Sequence, residues 1–154
     1  MALFNVRVYG ILIDDQDRLL VSDEFIRGAY ITKLPGGGLE IGEGTRDGLA
    51  REFMEEANLE VTVGEHFYTT DFFQISAFNN VDQIISIYYL VHAENTQAIQ
   101  AKTIAFDFLP EQVADIKGTA EHLRWIPLSE LKVEDMTLPI DKVAIQMLLS
   151  KIRN

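Results

Sequence analysis

The first third of the chain alternates between apolar runs and polar turns in a way that predicts β-strands. Val, Ile and Leu dominate residues 4–13, and the acidic run at residues 14–17 is typical of a turn. Residues 18–21 then predict the second arm of a hairpin, residues 22–29 a polar loop, and residues 30–34 a short strand. Pro35 and the three glycines that follow are expected to stop that strand.

A helical pattern replaces the alternation after the glycines. Its apolar residues fall on an arc of roughly 140°, the width expected of a helix face packed on a core. These residues are Leu49, Ala50, Phe53, Met54 and Ala57. Thr45 is predicted to cap the start of this helix, and Asn58 to end it in the left-handed conformation.

The second half of the chain returns to extended patterns and closes with a helix. We predict, in order, a strand or bulged pair over residues 60–70 and 71–76, a turn at 77–83, a strand at 84–93, a polar connection at 94–102, an irregular segment at 103–119, a strand at 122–127, a short helical turn at 129–131 and an amphipathic helix at 140–152. Strands and helices that interleave in this way predict an α/β fold with a mixed sheet and helices on both faces.

Composition predicts one domain over residues 1–154. The hydrophobic content of 47% can form a core, and no segment is long and apolar enough to span a bilayer. The N-terminus lacks the pattern of a signal peptide, and the absence of cysteine excludes disulfides, zinc–thiolate sites and a cysteine nucleophile. A cytoplasmic location is therefore expected.

The net charge of −11 limits the partners of this chain. A protein without a basic stripe is not expected to bind nucleic acid polymers or anionic membranes. A small phosphate substrate is compatible with the charge, because a bound cation would reverse its sign locally. Self-association as a homodimer is left open.

Three glutamates stand out on the predicted helix. Glu52, Glu55 and Glu56 occupy positions i, i+3 and i+4, so their carboxylates share one face and repel each other unless a cation lies among them. Hard divalent ions such as Mg²⁺ or Mn²⁺ select such all-oxygen ligands. Arg51 lies one turn before Glu55 and is expected to link the helix to Glu43 in the preceding loop. The alternative is a structural role, in which the acids only stabilise the helix.

The spacing of these residues resembles the Nudix box of the Nudix hydrolases. The matching positions are Gly37, Glu43, Arg51-Glu52-Phe53, Glu55-Glu56 and Leu59, with Asn58 in place of the usual glycine. Because Asn is the commonest substitute for Gly in the left-handed conformation, the same backbone role is expected of Asn58. The resemblance implies an α/β/α sandwich.

The resemblance also implies an activity and a set of site residues. Nudix hydrolases split diphosphate linkages with a bound Mg²⁺, which Gly37, Glu52, Glu55 and Glu56 would ligate here, with Arg51 beside them. An acidic residue outside the box can complete the metal shell or act as base. Glu121 is our first candidate for it, with Glu111 and Asp107 as rivals, and the general base is left open. The irregular segment at 103–119 is expected to reach over the active site.

The substrate is not identified by the sequence. Some subgroups of the family carry a proline or a tyrosine downstream of the box, near the position of Ile75, and neither is present here. A nucleoside triphosphate and a nucleotide sugar stay open as substrates. A function of another class is a sensing module that keeps the fold and binds a nucleotide-like metabolite without turnover.

Overall fold

A computed structural model describes residues 1–153, which form eight strands and two α-helices. The elements are β1 (Phe4–Leu12), β2 (Arg18–Ile26), β3 (Ala29–Lys33), β4 (Gly36–Gly38), α1 (Thr45–Ala57), β5 (Thr62–Thr69), β6 (Gln83–His92), β7 (Ala101–Lys102), β8 (Thr119–Pro127) and α2 (Pro139–Ile152). No helix in this part of the chain is both long and apolar enough to cross a membrane. The elements divide between two compact units.

The first unit contains residues 1–12 and 35–96 and is built on one mixed sheet. Its strand order is β4-β1-β6-β5, in which β1 and β6 run parallel and the other neighbours antiparallel. Strand β5 lies within the predicted extended segment at 60–70, and its pairing with β6 shifts register twice. Residues 71–76, which we predicted to be extended, lie outside the strands apart from a single bridge between Ile75 and Gln83.

Helix α1 contacts this sheet through a narrow apolar face. Leu49 and Phe53 are fully buried, whereas Met54, predicted to lie on the buried face, is 46% exposed. The ring of Phe53 packs on β1 at Gly10, where a Cβ atom would lie 2.5 Å from Cε2 of Phe53. A side chain at position 10 would therefore push α1, and the glutamates that it carries, away from the sheet.

The second unit contains residues 13–34 and the chain from Gln97 onward, and it has its own mixed sheet. The strand order is β3-β2-β8-β7, with β7 and β8 parallel. Helix α2 buries one face, including Ile145 and Leu148, as its amphipathic pattern predicts. Just before α2, Thr137 exchanges hydrogen bonds with the backbone of Thr32 on the edge of β3.

Strand β2 is longer than its sequence predicts. We expected a loop from residue 22, but the strand continues to Ile26 because its polar side chains find buried partners. Asp23 is fully buried and accepts hydrogen bonds from Arg124 and Thr32, at 2.7 Å for the shorter Arg124 contact and 2.7 Å for Thr32. Glu24 forms a buried ion pair with Lys33 at 3.2 Å. Polar residues thus occupy interior strand positions that a hydrophobic pattern does not reveal.

Two other boundaries differ from the prediction. The glycines expected to stop a strand form β4, which pairs antiparallel with β1. Strand β8 begins three residues earlier than predicted, so Glu121 lies inside it and not before it. The segment between β7 and β8 is irregular as predicted, with a short 3₁₀ helix at Pro110–Gln112. In place of the helical turn predicted at 129–131, the structure has a hydrogen-bonded turn at residues 128–130, and a 3₁₀ helix follows at Val133–Asp135.

Candidate active site

The ends of α1 are set by backbone geometry. Gly44, and not Thr45, occupies the N-cap position, and the hydroxyl of Thr45 instead forms a 2.7 Å hydrogen bond with the hydroxyl of Tyr89 on β6. At the other end Asn58 adopts φ 49° and ψ 44°, and its N–H donates to the carbonyl of Met54. The prediction that Asn58 replaces glycine in the left-handed conformation is confirmed.

Glu52 points from α1 towards the glycine strand β4. A Cβ atom on Gly37 would lie 2.6 Å from Oε1 of Glu52 and 2.9 Å from its Oε2, closer than atoms of this kind approach each other. The side chain of Glu52 is 13% exposed. The missing side chain at position 37 is therefore the space that the carboxylate of Glu52 occupies.

Glu56 also contacts β4, at Gly36, the residue before Gly37. Its Oε2 accepts a hydrogen bond of 3.2 Å from the backbone N–H of Gly36. Glu55, between the two in sequence, has a side chain that is 57% exposed. Two of the three glutamates predicted as metal ligands are therefore placed against β4, and the third, Glu55, faces outward.

Arg51 links the helix, the loop and β4. Its guanidinium forms a bidentate pair with Glu43, with Nη2 2.7 Å from Oε1 and Nε 3.0 Å from Oε2. Nη2 also donates to the carbonyl of Gly38, and Nη1 lies 3.2 Å from Oε1 of both Glu52 and Glu55. The predicted bridge from Glu55 to Glu43 is present, and it also includes Glu52.

These contacts change the acidity of Glu43. Hydrogen bonds from Arg51 and from the backbone N–H of Glu40 lower the pKa of Glu43 from 4.5 to about 2. The same pairing raises the pKa of Arg51. Both partners are therefore charged throughout the neutral and mildly acidic range.

Replacing Glu43 with Gln is expected to reduce stability in a pH-dependent way. Because the pKa of Glu43 is depressed in the folded state, its contribution is fully present above about pH 4.5 and is lost as the pH falls through about 2. Urea unfolding of both proteins across this range measures the difference. A difference that stays constant down to pH 2 would contradict the ionic origin, and Glu60→Gln, an exposed acid just after α1, is the matched control.

The oxygen donors around α1 and β4 are of the type that binds a hard cation, but their side chains do not converge on one point. Among residues 1–153, no three His, Cys, Asp or Glu side chains converge closely enough to hold a metal ion. Nη1 of Arg51 contacts both Glu52 and Glu55, and Glu56 accepts a hydrogen bond from the N–H of Gly36. The available donors are nevertheless all carboxylate or backbone oxygens, the type that Mg²⁺ and Mn²⁺ select.

The acidic candidates outside the box lie in the second unit. Glu121 on β8 is exposed and directly opposite Glu24 on β2 in the antiparallel register. Asp107 lies in the segment before β8, where its N–H donates to Nε2 of His122. Glu111 is part of the 3₁₀ helix that follows.

Sequence reasoning missed several groups. The N–H of Gly36 and the carbonyl of Gly38 contact box side chains, but backbone groups leave no mark in a sequence. Glu24 was assigned to a loop, because the adjacent acids Asp23 and Glu24 do not show the polar–apolar alternation of a half-buried strand.

Comparison with known proteins identifies the family of this chain. The sequence model of the NUDIX domain matches residues 3–147, and the chain belongs to the NUDIX domain family. The resemblance to the Nudix hydrolases, the α/β fold and the assignment to an enzyme of the Nudix type are thereby confirmed. No curated protein matches the sequence significantly.

Solved structures share the fold at low sequence identity. The MutT protein from Methanosarcina mazei Go1 is 17% identical with a TM-score of 0.66, over 99% of this chain and 98% of its own. The E. coli ORF135 protein is 18% identical with a TM-score of 0.64, over 97% and 91%. An ADP-ribose pyrophosphatase from Streptococcus suis 89-1591 is 15% identical with a TM-score of 0.53, over 97% and 92%. These similarities concern the fold and do not identify a substrate.

Proposed function

We propose that this chain is a divalent-cation-dependent hydrolase that splits a diphosphate linkage in a nucleoside diphosphate derivative. A nucleoside triphosphate and a nucleotide sugar are the two substrate classes that we expect. The observation that carries the proposal is the placement of Glu52 and Glu56 of α1 against the glycine strand β4, with Glu55 and Arg51 beside them. One protein of similar fold is named an ADP-ribose pyrophosphatase, which is in line with diphosphate chemistry.

We assign different roles in this reaction to the residues of the box. Glu52, Glu55, Glu56 and the carbonyl of Gly37 would hold Mg²⁺ or Mn²⁺. Such an ion, when bound, stabilises negative charge on phosphate oxygens and makes water a better nucleophile. A carboxylate of the box or one outside it would accept the proton from that water. Arg51, through its hydrogen bonds to Glu43, would fix the position of the loop relative to the helix.

The other expectations about the protein accompany this proposal. We propose that residues 1–154 act as a single Nudix hydrolase domain, supported by the match over residues 3–147. The small-molecule substrate, the cytoplasmic location and the reach of residues 103–119 over the active site stay predictions, and self-association as a homodimer stays open.

The experiment that tests the function is a panel of substrates. Purified protein is incubated with nucleoside triphosphates, nucleotide sugars and dinucleoside polyphosphates, with Mg²⁺, with Mn²⁺ and with EDTA, and released phosphate or nucleotide is measured. Turnover that requires the ion supports the proposal. Tight binding of one compound without any turnover would instead favour the sensing module.

The melting temperature is expected to rise when Mg²⁺ or Mn²⁺ is added, because the ion binds the folded carboxylates and not the unfolded chain. At an ion concentration a hundred times Kd the stabilisation is about 2.7 kcal/mol, a shift of several degrees for a chain of this size. Calorimetric melts measure this shift. Glu55→Gln should lose most of it and Glu60→Gln should keep it, whereas melting that ignores millimolar ion in the wild type would argue against a metal site in the free protein.

Glu121→Gln is expected to lower turnover about 100-fold, the range for loss of a general base, with little change in melting temperature because the side chain is exposed. Steady-state kinetics and a thermal melt measure the two effects. Glu111→Gln and Asp107→Asn are the parallel variants. Unchanged activity in Glu121→Gln would transfer the role to one of these two, without affecting the box residues.

A further inference from the structure

The guanidinium of Arg51 has two sides that contact different partners. On one side Nε and Nη2 contact Glu43 at 3.0 and 2.7 Å, and Nη2 also contacts the carbonyl of Gly38 at 3.2 Å. On the other side Nη1 alone contacts Glu52 at 3.2 Å and both oxygens of Glu55 at 3.2 and 3.3 Å. The two shortest hydrogen bonds of the guanidinium are therefore both to Glu43, on the side of the loop.

The contacts of Arg51 with Glu43 and with the carbonyl of Gly38, on the loop side, hold the guanidinium in place. Glu43 is 16% exposed, and the N–H of Glu40 donates to its Oε1 at 2.9 Å, so the carboxylate is held before Arg51 contacts it. A bidentate guanidinium–carboxylate pair of this kind fixes both groups in one plane. This side is expected to persist whatever happens at Nη1.

The contacts of Nη1 with Glu52 and Glu55 are easier to break than the contacts with Glu43. The contacts of Nη1 are longer than the two hydrogen bonds to Glu43. Glu55 is more than half exposed, so the carboxylate of Glu55 can rotate away at little cost. Glu52 and Glu55 are also the carboxylates proposed to bind the divalent ion. An ion placed between them would be at close range to the positive charge of Nη1, where like charges repel strongly.

We propose that Arg51 is the resident counter-ion of the box, which neutralises Glu52 and Glu55 until a divalent ion replaces it. On ion binding these two carboxylates leave Nη1, while Nε and Nη2 stay on Glu43 and the carbonyl of Gly38. This inference rests on the proposed function, because it assumes that the same carboxylates bind the ion.

An arginine that competes with the ion and an arginine that only orients the ligands predict opposite changes in divalent-ion affinity when Arg51 is removed. If Arg51 only oriented the ligands, its removal would weaken divalent binding. If it competes with the ion, its removal should tighten binding, because the free state loses its compensating charge. Each exposed contact of this kind is worth little, so the expected gain in affinity is about threefold to tenfold.

Isothermal titration with Mn²⁺, without substrate, measures this affinity. Arg51→Gln should bind three to ten times more tightly than wild type, about the range above. Arg51→Lys keeps the charge and should tighten binding less than Arg51→Gln, although a single ammonium cannot keep the bidentate contact with Glu43. Arg46→Gln is the matched control: it removes one positive charge from the same helix, but Arg46 contacts the carbonyls of Val63 and Gly64 on β5. Tightening in Arg46→Gln as large as in Arg51→Gln, or weaker binding by Arg51→Gln, would overturn the proposal.

A second measurement uses the wild-type protein and therefore does not depend on a variant that folds. In ¹⁵N NMR spectra the Nε–H signal of Arg51 should keep its position and its slow exchange when Mg²⁺ is added, because Glu43 still holds it. In ¹³C spectra the side-chain carboxyl signals of Glu52 and Glu55 should shift. A large change in the Nε–H signal would show that the whole guanidinium moves and would overturn the proposal.

The two proposals fail in different ways. Hydrolysis without any divalent binding to the free protein would overturn the counter-ion role and leave the hydrolase intact, with the ion arriving on the substrate. Competition between Arg51 and the ion without turnover of any substrate would support the counter-ion role and overturn the hydrolase.

Discussion

Glu56→Gln is expected to lower turnover by about two to four orders of magnitude, a loss of several kcal/mol of transition-state stabilisation. The substitution removes one charge from the carboxylate cluster and keeps the size of the side chain. The amide oxygen of Gln can still accept the hydrogen bond from the N–H of Gly36, so the fold should be retained. Initial rates at saturating Mg²⁺, with a thermal melt of the same sample, measure both effects.

The control for Glu56→Gln is Glu60→Gln. It removes the same charge from an exposed position just beyond α1 and should leave turnover unchanged. If Glu56→Gln melts like the wild type and turns over at close to the wild-type rate, the assignment of the metal site to α1 is wrong.

Gly37→Ala is expected to lower turnover about 100-fold, since displacement of a catalytic group by about 1 Å has an effect of this size. The new methyl group would lie 2.6 Å from Oε1 of Glu52, and the carboxylate would have to move. The atom displaced is the end of a flexible side chain, so the melting temperature should change little. Kinetics and melting measured together separate this result from unfolding.

The matched control is Gly44→Ala. A Cβ atom at Gly44 would meet no other atom within 4 Å, so the same substitution there lacks the displaced carboxylate. Equal losses in both variants would indicate a general sensitivity of the loop to alanine. Titration of Mn²⁺ into Gly37→Ala adds a direct test, since a displaced Glu52 should weaken ion binding.

Local pattern was a reliable guide to the elements that are buried on one face. The strands at β1 and β6 and the helices α1 and α2 lie within one or two residues of their predicted bounds, because a period of 2 or 3.6 residues records which side faces the core. The pattern failed at β2, where Ser22, Asp23 and Glu24 are all buried. Asp23 pairs with Arg124 and Glu24 with Lys33 on the neighbouring strands, and Ser22 donates to Glu24.

The sequence by itself determined that Glu52, Glu55 and Glu56 share a helix face, since their spacing allows nothing else once the helix forms. It also determined that Asn58 ends that helix, because few residues accept the left-handed conformation. Only the tertiary structure decided what the glutamates face. The positions of Glu52 beside Gly37 and of Glu56 on the N–H of Gly36 depend on the pairing of β4 with β1, a contact between segments some thirty residues apart. Such a pairing results from the packing of the whole first unit, and for this reason no local pattern encodes it.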